Sequence, residues 1–60
     1  MKTYSVIGYK MVKNPNTWDM EATGDLMTVS VTCAKNSVEM IEGEVANKMG
    51  FDWFEAITIY

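Results

Sequence analysis

The chain has 60 residues, a single cysteine, no histidine, and a net charge of −3 from eight acidic residues and five lysines. This length corresponds to one domain, 1–60, and a chain of this size buries only about 60% of the surface that it exposes when unfolded. Because Cys33 has no second cysteine to pair with, an internal disulfide is excluded, and a His/Cys zinc site is excluded with it. Self-association is the remaining way to stabilise so small a domain.

The charge pattern argues against direct nucleic-acid binding. All five basic residues are lysine, whereas arginine is the usual residue for bidentate contacts with phosphate and guanine. An acidic chain without arginine is therefore a poor candidate for holding nucleic acid. The alternative of an acidic decoy that mimics nucleic acid predicts that six carboxylates gather on one surface at roughly phosphate spacing: Asp19, Glu21, Asp25, Glu39, Glu42 and Glu44.

The sequence predicts a soluble, cytoplasmic protein. No segment approaches the ~20 consecutive apolar residues that span a bilayer. The first residues lead into an alternating stretch instead of the apolar core of a signal peptide, and a lone cysteine fits a reducing compartment.

Residues 3–12 are predicted to form the first β-strand, because apolar residues alternate and many are β-branched or aromatic. Both faces of this strand carry apolar side chains. One row contains Ser5, Ile7, Tyr9 and Met11, and the other contains Tyr4, Val6, Gly8, Lys10 and Val12.

Residues 13–24 are predicted to form a loop, because Asn14-Pro15-Asn16 is a strong turn signal. A loop of about a dozen residues is long for a compact domain, and such loops are usually functional or disordered. Its large apolar residues either fold back on the core or stay exposed as anchors for a partner. The predicted partner-binding residues are Trp18, Asp19, Met20 and Glu21.

The rest of the chain predicts a strand, a helix and a last strand. Residues 25–34 alternate, with one apolar row of Met27, Val29, Val31 and Cys33. A helix is expected to begin at Asn36 and end at Gly50, with a buried stripe of Val38, Ile41, Val45 and Met49. Residues 52–60 alternate as a final strand.

These elements predict a small α+β domain with the order β-β-α-β. The simplest arrangement is a three-stranded antiparallel sheet of order 2-1-3 with the helix packed on one face. The alternative places the third strand beside the second and parallel to it.

No residue pattern indicates catalysis, a cofactor or a metal. The segment from Asp19 to Ser30 resembles a calcium loop in part, but Ser30 stands where the bidentate glutamate belongs. Cys33 lies in an apolar row without a histidine to activate it and is interpreted as a buried thiol. The helix carboxylates are interpreted as a solvated face, because so small a domain is expected to have little room for a pocket of ~300 Å³ or more.

The strands with two apolar faces predict a homodimer, since one helix can cover only one face of the sheet. The expected interface is the helix-free face or a strand edge, through Tyr4, Val6, Val12 and Trp53, unless the opposite row is the uncovered one. We interpret the chain as a non-enzymatic protein-binding module that inhibits or regulates a host protein. Its size suggests a phage or mobile-element accessory protein, and a structural subunit of a larger assembly is a further alternative.

Overall fold

The computed structural model describes residues 1–34 and 36–60, which form a three-stranded sheet and one helix. The central strand β1 is antiparallel to both neighbours, in the order β2-β1-β3. The elements are β1 (Lys2–Lys13), β2 (Met20–Cys33), α1 (Val38–Met49) and β3 (Trp53–Ile59). The predicted α+β fold with order 2-1-3 is confirmed, and the alternative with β3 beside β2 is wrong.

The first two strands are longer than predicted, so the expected loop over 13–24 is wrong. Only residues 14–19 connect them. Pairing runs from Lys2 with Cys33 to Tyr9 with Leu26, and it resumes with Met11 opposite Ala22. Residues 23–25 therefore bulge out opposite Lys10, and Gly24 takes a φ of 90° there. From this bulge to the tip the two strands form a hairpin arm, residues 10–25, which includes the bulge, in a molecule measuring 38 × 18 × 17 Å.

Helix α1 begins one residue later than expected. Ser37, not Asn36, is the N-cap, and its side chain accepts a hydrogen bond from the Met40 N–H at 3.2 Å. Gly50 ends the helix as predicted, with a φ of 73° and its N–H donating to the Ala46 carbonyl. Within the described residues, no helix is long and apolar enough to cross a membrane.

The core lies between α1 and one face of the sheet. Val6, Val45 and Phe54 have no exposed surface, and Val29 and Val31 of β2 are buried beside them. The helix contributes Ile41, Val45 and Ala46 to this core, whereas Val38 and Met49 are exposed, so the predicted stripe was wrong at both ends.

Tyr4 and Val6 lie on the face of the sheet that the helix covers. Their pairing partners on β2 are Val31 and Val29, which belong to the apolar row of that strand. Both side chains are therefore buried in the core, and they are not available for a dimer interface on the helix-free face. The alternative row of β1, with Ile7, Tyr9 and Met11, is the one that faces away from the helix.

Two side chains of α1 reach backbone groups at both edges of the sheet. Glu42 Oε2 accepts a hydrogen bond from the Ala56 N–H of β3 at 2.7 Å. Lys48 Nζ donates to the Ser30 carbonyl of β2. Each contact occupies a backbone group that an added strand would otherwise use, which works against pairing at these two points.

Candidate protein-binding surfaces

Asn14 organises the tip of the hairpin arm. Its N–H donates to the Asp19 carbonyl at 2.8 Å, and its carbonyl accepts from the Trp18 N–H at 2.7 Å. Its side-chain oxygen accepts from the Asn16 N–H at 2.9 Å, and its side-chain nitrogen donates to Glu21 Oε1 at 3.2 Å. Four hydrogen bonds from one residue hold this tip in a defined conformation.

Trp18 lies at the tip in an unusual backbone conformation. Its φ is 66°, and among the described residues it is the non-glycine residue with a positive φ. A large side chain in this left-handed region costs on the order of 1–2 kcal/mol. The side chain is 72% exposed, and its ring lies 4.5 Å from Lys13 Nζ. The backbone thus holds a mostly exposed indole in a costly conformation.

The four residues predicted to bind a partner lie on one continuous exposed segment. Trp18 and Asp19 belong to the tip, and Met20 and Glu21 begin β2 opposite Lys13 and Val12. Trp18 does not fold back on the core, so the exposed alternative for its side chain is confirmed. The role of this segment in binding stays a prediction.

The helix-free face of the sheet carries an apolar patch near the base of the hairpin arm. It consists of Ile7, Tyr9, Met11 and Leu26, which we call the sheet patch. Tyr9 and Leu26 are directly opposed, and Leu26 is 59% exposed. Near the start of β1 and the end of β2 the same face is polar. The Thr3 and Thr32 hydroxyls form a hydrogen bond there at 2.9 Å. The apolar area of this face is therefore concentrated around Tyr9.

The remaining residues of the predicted dimer interface lie elsewhere. Val12 is half-buried in the hairpin arm, opposite Glu21. Trp53 is half-buried at the start of β3, and its ring would lie 3.5 Å from a Cβ atom at Gly43 of α1. Trp53 is thus turned toward the helix.

A cleft of about 520 Å³ lies between α1 and the start of β3. The expectation that the domain has little room for such a cleft was wrong. The Trp53 ring lies against Gly43 in this cleft, at a distance of 3.5 Å from where a Cβ atom of residue 43 would be. The lining includes Glu39, Met40, Gly43, Glu44, Asp52 and Trp53.

The helix residues of this cleft could have been grouped from the sequence. Met40, Gly43, Glu44 and Asn47 recur at helical spacing beside the buried stripe. Two aromatic residues, Phe51 and Trp53, follow after the end of the helix. The spacing did not show that the chain turns back and brings Trp53 onto Gly43, because that contact depends on how the helix packs.

The six carboxylates of the decoy alternative are divided between two elements. Three lie on the hairpin arm and three on α1, and Glu42 is engaged with the Ala56 N–H. In the described ranges, no group of three or more His, Cys, Asp or Glu side chains is arranged to hold a metal ion. Cys33 is 5% exposed in the core, as its place in the apolar row of β2 predicted.

Comparisons with protein-family models, with curated proteins and with solved structures find no match for this chain. The functional argument therefore depends on the geometry of the hairpin arm and the sheet patch.

Proposed function

We propose that this protein is a non-catalytic protein-binding module whose hairpin tip inserts Trp18 into an apolar pocket of its partner. The observation that carries the proposal is the exposed indole at a positive φ. Backbone strain of this kind persists only where the surrounding structure enforces it, and it concentrates at functional positions. Tryptophan is also one of the residues that most often dominate binding energy at protein interfaces.

The hairpin tip is preorganised for this role. Because the Asn14 hydrogen bonds hold the tip before binding, little conformational entropy remains to be lost in the complex. Met20 adds a second exposed apolar side chain, and Asp19 and Glu21 place negative charge beside it. The complementary surface on the partner is an apolar pocket with basic residues at its rim. In the phage or mobile-element setting that we propose, the partner is a host protein that the module inhibits or regulates.

Affinity capture from a host lysate tests this proposal if Trp18 is varied in parallel. A genuine partner is expected to be retained by the wild-type chain and lost with Trp18→Gly, which keeps the backbone conformation accessible. Asn36→Ala is the control, because it changes an exposed residue next to the N-cap of α1, away from the hairpin tip and from the sheet. Capture of the same proteins by all three chains would contradict the proposal.

We also propose that two copies associate through the sheet patch. Ile7, Tyr9 and Met11 lie on the central strand, and the helix covers only the opposite face. Face-to-face packing of two sheets would remove this patch from water on both copies and present two hairpin tips at once. A stable interface of standard size buries about 800 Å² per partner. The polar half of the face would then form the rim of the interface.

A further inference from the structure

The direction of the backbone groups along the edge strand β2 follows from the hydrogen bonds of Ser5. The Ser5 N–H donates to the Tyr60 carbonyl at 3.1 Å, and its carbonyl accepts from the Tyr60 N–H at 2.9 Å. Both backbone groups of Ser5 therefore point away from β2, where Ser30 is its partner. Since these two serines do not bond to each other, the N–H and carbonyl of Ser30 point out from the sheet edge. The same holds at the alternate positions Thr28 and Thr32.

The strand at this edge carries no charge of its own. Residues 26–34 read Leu-Met-Thr-Val-Ser-Val-Thr-Cys-Ala, without a charged residue, a proline or a glycine. Edges of this composition pair readily with another strand, and proteins commonly protect them with charged residues, lysine above all. Here the lysine comes from the helix instead. Lys48 Nζ donates to the Ser30 carbonyl, in the middle of the uncharged segment.

The uncharged segment is also complementary to itself. Its centre reads the same in both directions, as Thr28-Val29-Ser30-Val31-Thr32. In an antiparallel pair of two copies centred on Ser30, each valine lies opposite a valine and each threonine opposite a threonine. Such β-branched residues are favourable neighbours across strands, and the two segments bring no like charges together. The outward N–H of Ser30 in each copy meets the outward carbonyl of Ser30 in the other.

We propose that the edge of β2 pairs with β2 of a second copy, antiparallel and centred on Ser30, and that Lys48 limits this pairing. The Lys48 ammonium occupies the carbonyl at the centre of the symmetric segment, where the hydrogen bond from the second copy belongs. Because Val29 and Val31 both lie under α1, the pairing places both helices on the same face of one continuous sheet. The two Lys48 ammonium groups then approach each other and repel.

This contact differs from the sheet patch, and it rests neither on that patch nor on Trp18. It uses backbone groups at the edge of the sheet, whereas the patch uses side chains on the helix-free face. The two contacts join copies in different directions, so a chain that uses both forms an assembly larger than a dimer.

Disulfide crosslinking tests the register of the pairing. The Ser30 Cα atoms of the two copies are expected to lie about 5.5 Å apart, within reach of a disulfide, whereas the two Thr28 Cα atoms are offset by about 13 Å along the strands. Ser30→Cys is therefore expected to crosslink about tenfold faster than Thr28→Cys in oxidised glutathione, at a concentration where most chains are monomers.

The two cysteine variants are matched. Both positions are exposed, and the buried Cys33 is present in both chains. A dimer through the sheet patch favours Thr28→Cys instead, because Thr28 is closer to Leu26. Crosslinking of Ser30→Cys that is no faster than that of Thr28→Cys would overturn the pairing, and the sheet-patch proposal stands or falls separately.

Substitutions of Lys48 test its part in the proposal. Lys48→Met keeps the apolar stem but removes the charge and the donor, and it is expected to speed the crosslinking of Ser30→Cys about three- to tenfold, the equivalent of one net hydrogen bond. Lys48→Arg retains a positive charge and N–H donors, so it is expected to change the rate less than about twofold. A rate that Lys48→Met leaves unchanged would show that Lys48 does not limit the pairing.

Discussion

A Cβ atom at Gly8 would lie 2.0 Å from the carbonyl oxygen of Glu55 on the neighbouring strand. The close approach follows from a bulge in β3. Ile7 pairs with Thr58 and Gly8 with Ala56, so Ile57 is an extra residue on β3. The bulge turns the Ala56 N–H toward Glu42 of the helix and brings the backbone of β3 onto Gly8. Only glycine fits at this point of the central strand.

Gly8→Ala is therefore expected to lower the free energy of unfolding by about 2–4 kcal/mol, because the contacted atoms are backbone and cannot rotate away. Urea denaturation measures the loss. Gly43→Ala is the control, since its Cβ would meet Trp53 at an ordinary 3.5 Å and alanine favours a helix by ~1 kcal/mol. It is expected to be neutral or stabilising. Equal effects of the two substitutions would contradict the bulge geometry.

Two substitutions of Trp18 separate the cost of its backbone conformation from the loss of its side chain. Trp18→Gly is expected to be more stable than Trp18→Ala by about 1 kcal/mol, because only glycine adopts a φ of 66° without steric cost. Both variants lose the same indole contact with Lys13, so thermal or urea unfolding of the pair isolates the backbone contribution. An alanine variant as stable as the glycine variant would show that the tip relaxes out of this conformation.

The start of the helix can be checked by a pair of adjacent substitutions. Ser37→Ala is expected to cost about 1 kcal/mol, because the Met40 N–H loses its side-chain acceptor. Asn36→Ala is expected to change the free energy of unfolding by less than about 0.5 kcal/mol, the usual range for a surface residue. The reverse order in urea denaturation would place the N-cap at Asn36 instead.

The Glu42 carboxylate is expected to slow amide hydrogen exchange at the outer edge of β3. Glu42→Ala leaves the partly buried Ala56 N–H without its acceptor and is expected to cost about 1–3 kcal/mol. Amide hydrogen exchange at Ala56 should accelerate in this variant more than at Tyr60, whose N–H donates to the Ser5 carbonyl of β1. Glu42→Gln keeps a side-chain oxygen and is expected to restore part of the protection. Unchanged exchange at Ala56 in both variants would show that the contact contributes nothing in solution.

Dimerisation through the sheet patch predicts a specific effect of Leu26→Lys. A charge within the sheet patch, which the proposed dimer would bury, should shift the sedimentation of the protein to that of a 6.8 kDa monomer across a micromolar dilution series. Val38→Lys is the matched control, because Val38 is 57% exposed on α1 and Leu26 is 59% exposed on the sheet. It should leave the dimer intact. A wild-type chain that is monomeric throughout the series would contradict the dimer itself.

Local patterns in the sequence determined the order of the elements and which face of β2 is buried. Val29, Val31 and Cys33 alternate with polar residues, so the buried side of β2 could be assigned without any partner strand. Gly50 marked the end of the helix, because a left-handed cap is a local requirement. With three strands and one helix of these lengths, order 2-1-3 was the simplest topology, and the structure has it.

The tertiary structure decided what local patterns left open. Both rows of β1 are apolar, so only the pairing of Val6 with Val29 shows that Tyr4 and Val6 lie under the helix and that Tyr9 faces away from it. The bulges at 23–25 and at Ile57 depend on the register between two paired strands. The cleft depends on Trp53 packing over Gly43, ten positions earlier in the sequence. Periodicity describes one element at a time, whereas register and packing are properties of two elements in contact.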